Sequence, residues 1–185
     1  MSLDVRARAD AIATFRFISI ACMETLARWV PTTPELEVKV LFGRHLWDFA
    51  QHADAFGKRT GELRLGPQVS RAPTAAFRGV LERAAAVTET EQRVDGFYAG
   101  LMPAVEALYR AYLAETDALL DEPSIRILGH VLADFARLVA ERHELARERP
   151  ELKAARGSEG RAAPAPKLAD VVDFRPAVPA GADAK

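Results

Sequence analysis

The sequence predicts an all-α protein: a four-helix bundle with an extra short helix and a flexible C-terminal tail. Three observations carry this prediction. The chain is rich in alanine, leucine, arginine and glutamate, which are good helix formers. Apolar residues recur every three or four positions over long stretches, and no stretch shows the sustained alternation that is typical of strands. Prolines and glycines cluster between these stretches, where they end one helix and open the next.

Five helices are predicted, at residues 5–29, 35–59, 74–87, 89–120 and 121–150. Pro31 ends the first helix, and Pro123 falls in the first turn of the last helix, where proline is favoured. Gly96, Gly100 and Pro103 predict a kink or an interruption in the fourth helix. A helix of 25 residues is about 38 Å long. Helices of this length cannot bury their apolar faces alone, so a bundle is the economical arrangement.

The last part of the chain has a different composition, which predicts a boundary near residue 150. Residues 1–150 are expected to form the helical domain. Of the 35 residues in 151–185, 10 are alanine, 4 are proline and 3 are glycine, which predicts disorder or an extended arm. Within this tail, residues 168–174 are more apolar than their surroundings. Two interpretations are open: a random apolar cluster, or a segment that docks on a partner or on the bundle itself.

Charge and cysteine content exclude several classes of protein. Lysine and arginine total 25 and aspartate and glutamate total 26, so the near-neutral chain lacks the basic character of a nucleic-acid binder. The single cysteine, Cys22, rules out an internal disulfide. The most apolar stretch, 15–30, contains three charged residues, which argues against a membrane span. No secretory signal is recognisable, so the expected location is the cytoplasm.

The second predicted helix carries the first candidate site residues. His45 and His52 share its apolar stripe with phenylalanines, and Asp48 lies at the edge of that stripe. Asp48 is three residues after His45 and four before His52, so its carboxylate can reach either imidazole. One interpretation is a metal-binding Asp–His pair. The other is that Asp48 only orients a histidine by hydrogen bonding.

Two further carboxylates are candidates to point inward. Glu24 lies on an aromatic and small-residue stripe of the first helix, where burial would require a cation, a hydrogen bond or a raised pKa. Alternatively, this stripe lies at the rim and Glu24 reaches water. Glu115 is in line with the apolar residues of the fourth helix. On the last helix, Asp134 lies at the boundary of the apolar face, whereas Arg137 and Glu141 are predicted to project away from it, as is His130.

The chain resembles members of the ferritin-like superfamily over about residues 5–148. The resemblance rests on the order of the long helices, on Glu24 in the first helix, on the run HLWDFAQHAD at residues 45–54, and on DEPSIRIL at residues 121–128. In that superfamily a di-iron or di-manganese centre takes one glutamate from each of two helices and a Glu-x-x-His motif from each of the other two. Transferred to this sequence, those motifs read Asp48-x-x-Gln51 and Asp134-x-x-Arg137.

The resemblance therefore implies a degenerate metal site. Its ligands would be Glu24, Asp48, His52 and Glu115, with His45 and Asp134 in reserve. Both histidines of the usual motifs are replaced, and an arginine can neutralise carboxylates without a metal. The expected cofactor is either none or a single non-haem iron or manganese ion.

Two functions are expected from these residues. The first is a non-catalytic binding or accessory protein that recognises a protein partner or a small molecule, with neither nucleic acid nor membrane as a partner. The alternative is a non-haem iron or manganese oxidase or oxygenase with an altered carboxylate and histidine ligand set. An iron-storage cage is a weaker third interpretation, since nothing in the sequence identifies shell-forming surfaces. A homodimer is compatible with the sequence.

Overall fold

The computed structural model of the chain describes residues 3–150 and 166–174. The regular elements in these ranges are all helical, which confirms the predicted all-α class. They are α1 (Val5–Trp29), α2 (Leu36–Glu62), α3 (Ala75–Ala85), α4 (Thr90–Asp95), α5 (Met102–Glu115), α6 (Glu122–Glu148) and α7 (Leu168–Val171). A short 3₁₀ turn, Val30–Thr32, follows α1, and a π-helical turn, Gly96–Leu101, joins α4 to α5.

Local chemistry explains where the long helices begin and end. The side chain of Asp4 accepts a hydrogen bond from the backbone N–H of Ala7 and so caps the start of α1. The fourth predicted helix ends at Glu115 and does not reach residue 120. The carboxylate of Asp117 accepts the backbone N–H groups of Leu119 and Leu120, which organises a turn in place of a further turn of helix.

The predicted kink in the fourth helix is a π-helical turn. The N–H of Met102 donates to the carbonyl of Phe97, five residues earlier, and Pro103 follows directly with no N–H to donate. The turn leaves Phe97, Tyr98 and Leu101 buried. Its consequence for the site is that Tyr98 faces α2.

Ring contacts fix the direction of α1 relative to α2. Phe15, near the start of α1, packs on Phe56, near the end of α2, with ring centroids 5.9 Å apart. Trp29, at the end of α1, packs on Phe42, near the start of α2, at 5.5 Å. The two helices are therefore antiparallel.

The same two residues of α1 fix the direction of α5. Phe15 contacts Tyr109 at 4.9 Å, and Trp29 contacts Phe97 at 6.0 Å, so α1 is also antiparallel to the π-turn and α5. It follows that α2 and α5 run in the same direction. The connection between them is long, because it must return from one end of the bundle to the other, and it contains α3.

A buried polar cluster joins three helices at one end of the bundle. The fully buried carboxylate of Asp121 accepts hydrogen bonds from Arg59 of α2, Tyr112 of α5, Thr116, and Ser124 of α6. Burial alone would raise the pKa of Asp121, but these donors outweigh it and hold the pKa below its usual value. The cluster therefore ties α2, α5 and α6 together around one charged group.

Residues 168–174 of the predicted tail pack on the bundle. Leu168, Val171 and Val172 are buried in the common core, against α3 and α5. The N–H of Thr74 donates to the carbonyl of Val171 at 2.8 Å, and its hydroxyl donates to the carbonyl of Asp170 at 2.7 Å. Of the two interpretations of this segment, docking on the bundle is therefore the one observed. The rest of the predicted tail, 151–165 and 175–185, lies outside the described residues.

Within the described ranges, no helix combines the length and the apolar character that crossing a bilayer requires. Cys22 is buried in α1, and burial raises the pKa of its thiol to about 12. The thiol is therefore a packing group in this fold.

Candidate functional site

Two polar rows meet where α2 packs on α6. Each row has residues at positions i, i+3 and i+7, a spacing that places all three on one side of a helix. The rows run in opposite directions, so the first residue of one lies opposite the last residue of the other. We call these six residues the α2–α6 network: His45, Asp48 and His52 of α2, with Asp134, Arg137 and Glu141 of α6.

His45 is fully buried and has both ring nitrogens hydrogen bonded. Its Nε2 lies 3.1 Å from Oε2 of Glu141, and its Nδ1 lies 2.6 Å from the hydroxyl of Tyr98. Since a carboxylate only accepts, Nε2–H donates to Glu141 and the Tyr98 hydroxyl donates to Nδ1. Burial is the largest influence on this imidazole and lowers its pKa, against the opposing effect of Glu141. His45 is therefore neutral near pH 7.

Only one of the two ring nitrogens of His52 is hydrogen bonded. Its Nε2–H donates to Oδ2 of Asp134 at 3.0 Å, and its ring packs against Phe49 and Phe135. Its Nδ1 is buried and finds no hydrogen-bond partner in residues 3–150 or 166–174. Burial again lowers the imidazole pKa. A second proton on Nδ1 would have no acceptor, so the neutral ring is the form that fits.

Arg137 connects the two histidine–carboxylate pairs. Its Nη2 lies 2.7 Å from Oδ1 of Asp48 and 3.2 Å from Oδ1 of Asp134, and its Nη1 lies 3.1 Å from Oε1 of Glu141. Burial would lower the pKa of Arg137, but hydrogen bonds to these carboxylates outweigh it and raise the pKa. One permanent positive charge thus serves three carboxylates.

The carboxylates of α6 are correspondingly acidic. Burial would raise the pKa values of Asp134 and Glu141, but hydrogen bonds from the histidines and from Arg137 hold both below their usual values. Arg44 adds a second cation, 3.2 Å from Oε2 of Glu141. Both oxygens of Asp134 and of Glu141, and Oδ1 of Asp48, are therefore engaged with N–H donors of the protein itself.

The structure brings together four of the six predicted site residues. Asp48 and His52, with the reserves His45 and Asp134, all belong to the α2–α6 network. They are arranged as donor–acceptor pairs around Arg137. Among the described residues, no group of three or more histidine, cysteine, aspartate or glutamate side chains is placed to hold a metal ion.

Glu24 does not point inward, and that prediction is wrong. The most buried stripe of α1 is formed by Ile18, Cys22, Leu26 and Trp29, and Glu24 lies off it, exposed to solvent. It borders a groove of about 370 Å³ between α1 and α3. The structure therefore agrees with the alternative interpretation, in which this stripe lies at the rim of the bundle and Glu24 reaches water.

Glu115 does not point inward either, and that prediction is also wrong. It is the last residue of α5, and it is exposed. In a helix that continued to residue 120, Glu115 would lie within the apolar band, but α5 ends at Glu115. Because no further turn of helix follows Glu115, no neighbouring side chains cover it, and its alignment with the apolar residues of α5 does not make it buried.

Sequence reasoning missed two residues of the network and one residue that contacts it. Arg137 and Glu141 were predicted to project away from the bundle, and Tyr98 was not singled out. A signal was available: the spacing of residues 134, 137 and 141 repeats that of residues 45, 48 and 52, with complementary donors and acceptors in antiparallel order. His130, by contrast, is exposed as predicted.

Comparison of the chain with models of known protein families, with curated proteins and with solved structures finds no match. Fold and site together define the described residues as an all-α helical bundle with a histidine–carboxylate–arginine network between two of its helices.

Proposed function

We propose that this chain is a non-catalytic binding or accessory protein of ferritin-like architecture, in which an arginine-centred network stands where a metal centre has degenerated. The topology supports the architecture. Helices α2 and α5 run parallel and are joined by one long connection, as in ferritin-like bundles, which have one long crossover.

The observation that carries the proposal is the position of Arg137. Its guanidinium bonds to Asp48, Asp134 and Glu141, the carboxylates that face the two buried histidines. A metal centre of this type needs carboxylate oxygens and imidazole nitrogens that are free to coordinate, with open positions for oxygen. Here at least one oxygen of each of these carboxylates, and three of the four imidazole nitrogens, are hydrogen bonded within the protein.

The residues present do not fit the metal that the ferritin-like resemblance implies. A di-metal centre would need ligands from four helices. Glu24 and Glu115 are instead exposed to solvent and do not belong to the α2–α6 network. A single iron or manganese ion at Asp48 and His52 would have to bind Asp48 beside the guanidinium of Arg137, which lies 2.7 Å from Oδ1. The remaining bare imidazole nitrogen, Nδ1 of His52, is enclosed by protein and is a single donor.

Metal content of the purified protein tests the proposal. The protein is prepared without chelator, dialysed, and analysed for iron and manganese beside the double variant Asp48→Asn/His52→Asn. We expect far less than one ion per chain in both, with no difference between them. In the same samples, added Fe²⁺ is expected to oxidise in air at equal rates.

The oxidase or oxygenase alternative predicts the opposite result for metal content and for oxidation of Fe²⁺. It requires stoichiometric metal in the wild-type protein and its loss in the double variant, with faster oxidation of Fe²⁺ by the wild type. That pair of results would overturn the proposal, because it would show that Asp48 and His52 coordinate a metal in spite of Arg137.

A further inference from the structure

Helix α2 has a second apolar face, which points away from the bundle. Leu36, Val40 and Trp47 are exposed at 69%, 52% and 64%, and they are three of the six large hydrophobic side chains exposed in the described part of the chain. With two small residues they follow the alternating four- and three-residue spacing of a heptad seam. We call this row the α2 seam: Leu36, Val40, Gly43, Trp47 and Ala50.

The seam is not needed for the fold of the described residues. The opposite face of α2, with Val38, Phe42 and Phe49, is the one buried in the core. Gly43, in the middle of the seam, is exposed, and a Cβ placed there would meet nothing within 4 Å. An exposed row with this spacing is typical of a helix that packs along a second helix, and a small central residue lets the backbones approach.

The charges beside the seam indicate which helix packs on it and whether that helix runs parallel or antiparallel to α2. Glu37 and Arg44 flank the seam on one side, and Lys39 flanks it on the other. When two copies of α2 pack antiparallel, residues on the same flank face each other, so Glu37 of each copy meets Arg44 of the other. A parallel pair would instead bring Lys39 against Arg44 of the second copy. Within the chain, Glu37 also pairs with Arg149 and Arg44 with Glu141, so each would share its charge between two partners. Of the two directions, only the antiparallel one brings opposite charges of the two copies together.

A groove next to the seam has room for the largest seam residue. It lies between α2 and α6 and has a volume of about 360 Å³. Its apolar lining is formed by Leu36, Val40, Leu41 and Leu145, and its charged lining by Glu37, Arg44, Glu141, Glu144 and Glu148. In the antiparallel pair, Trp47 of the second copy comes opposite Leu36. Helical side chains lean toward the N-terminus of their own helix, which directs this indole toward Val40 and the groove.

We propose that the α2 seam is a two-fold interface between two copies of this chain, with antiparallel α2 helices and Trp47 of each copy seated in the α2–α6 groove of the other. The interface is self-complementary, as a two-fold contact must be. None of the seam residues belongs to the α2–α6 network, although Glu141 of the network and its ion-pair partner Arg44 also line the groove.

Sedimentation velocity of the full chain, from about 1 µM to about 1 mM, measures the dimer dissociation constant. We expect Trp47→Glu to raise this constant by at least about 100-fold, because it removes the buried indole and places a carboxylate beside the glutamates of the groove twice per dimer. Val5→Glu is the control: Val5 is also an exposed hydrophobic residue but lies on α1, outside the seam, and its variant should dimerise like the wild type.

A charge-swap series tests the antiparallel direction. Glu37→Arg and Arg44→Glu alone should each weaken the dimer on the order of 5-fold, since each creates two like-charge contacts. The double variant Glu37→Arg/Arg44→Glu restores opposite charges across the two-fold axis and should recover most of the wild-type affinity. Far-ultraviolet circular dichroism of each variant verifies that the helices are retained.

Three results would overturn the inference. One is a wild-type chain that stays monomeric over the whole concentration range. Another is a dimer that survives Trp47→Glu. The third is a double charge variant that is weaker than both single variants, which would exclude the antiparallel pairing. A monomer without metal would leave the proposed function standing, so the two proposals fail separately.

Discussion

At the scale of single residues, His45 and His52 decide the acid–base behaviour of the protein. Both are buried and neutral, and each donates a proton to a carboxylate of α6. Burial lowers their pKa values below 6.5, the ordinary value for histidine. Folding therefore keeps protons off two groups that the unfolded chain would protonate below about pH 6.5.

The first prediction is a loss of stability in mild acid. Between pH 6.5 and the lowered pKa values, the unfolded chain binds more protons than the folded chain, so the free energy of unfolding falls as the pH falls. The slope approaches about 1.4 kcal/mol per pH unit for each histidine. The lowered pKa values of Asp134 and Glu141 add to the loss at still lower pH. Urea titrations at about pH 7.5, 6.5 and 5.5 measure it.

Histidine variants assign this slope to its source. His52→Asn should flatten the dependence, whereas His130→Asn, which changes an exposed histidine, should leave it intact. A wild-type protein whose stability is the same at about pH 7.5 and about pH 5.5 would contradict neutral buried histidines.

Removing the central cation is the second prediction. Arg137→Met should destabilise the fold by about 1–2 kcal/mol, a value reduced because the side chain is 43% exposed and its contacts are screened by solvent. Since the positive charge of Arg137 lowers the pKa values of both His45 and His52, the variant should also raise them, as followed by NMR of the imidazole protons. Arg126→Met, at an exposed pair with Glu122, should cost less than about 0.5 kcal/mol. Unchanged imidazole pKa values would show that Arg137 does not control the network.

At the scale of the elements, two devices hold the helices in register. The π-turn at Gly96–Leu101 turns Tyr98 toward α2, where its hydroxyl donates to His45. The Asp121 cluster joins α2, α5 and α6 at the other end of the network. Both depend on a polar group that is buried and fully used, and such groups are costly to leave without a partner.

The third prediction concerns the Asp121 cluster. Asp121→Ala leaves the buried guanidinium of Arg59 with only Glu62, whose side chain is 59% exposed, as a counter-charge, and should cost about 3–5 kcal/mol. Guanidinium denaturation measures the change, with Glu122→Ala, an exposed neighbour, as the control expected within about 0.5 kcal/mol of the wild type. A cost below about 1 kcal/mol for Asp121→Ala would mean that the cluster does not join the helices.

At the scale of the whole molecule, the segment around α7 is part of the folded domain. Its buried residues lie against α3 and α5, and Thr74 fixes its backbone at the start of α3. A short segment cannot hold a helix alone, so this one depends on burial of its apolar side chains against the bundle.

The fourth prediction follows from that dependence. Leu168→Ala should destabilise the whole domain by about 2–3 kcal/mol, because Leu168 is 1% exposed and its loss leaves a cavity. Asp173→Ala, an exposed change in the same segment, should have almost no effect. Chemical denaturation compares the two variants with the wild type. Equal stability of all three would show that residues 168–174 are not coupled to the bundle.

The sequence by itself determined the helices and their approximate bounds. The first predicted helix, 5–29, coincides with α1, and the second and last differ from α2 and α6 by a few residues. This succeeds because helix propensity and breaks at proline and glycine act over a few neighbouring residues. The apolar stripe that carries His45 and His52 was readable for the same reason.

Only the tertiary structure decided which polar groups meet. Periodicity gives the side of a helix on which a residue lies, but not which helix packs there or at what height, so Glu24 and Glu115 were assigned inward although they face solvent. Arg137 and Glu141 lie at the flank of α6, and contact with α2 turns that flank into an interface. The site exists because two distant segments pack antiparallel in one register, which is a property of the packed helices and of neither helix alone.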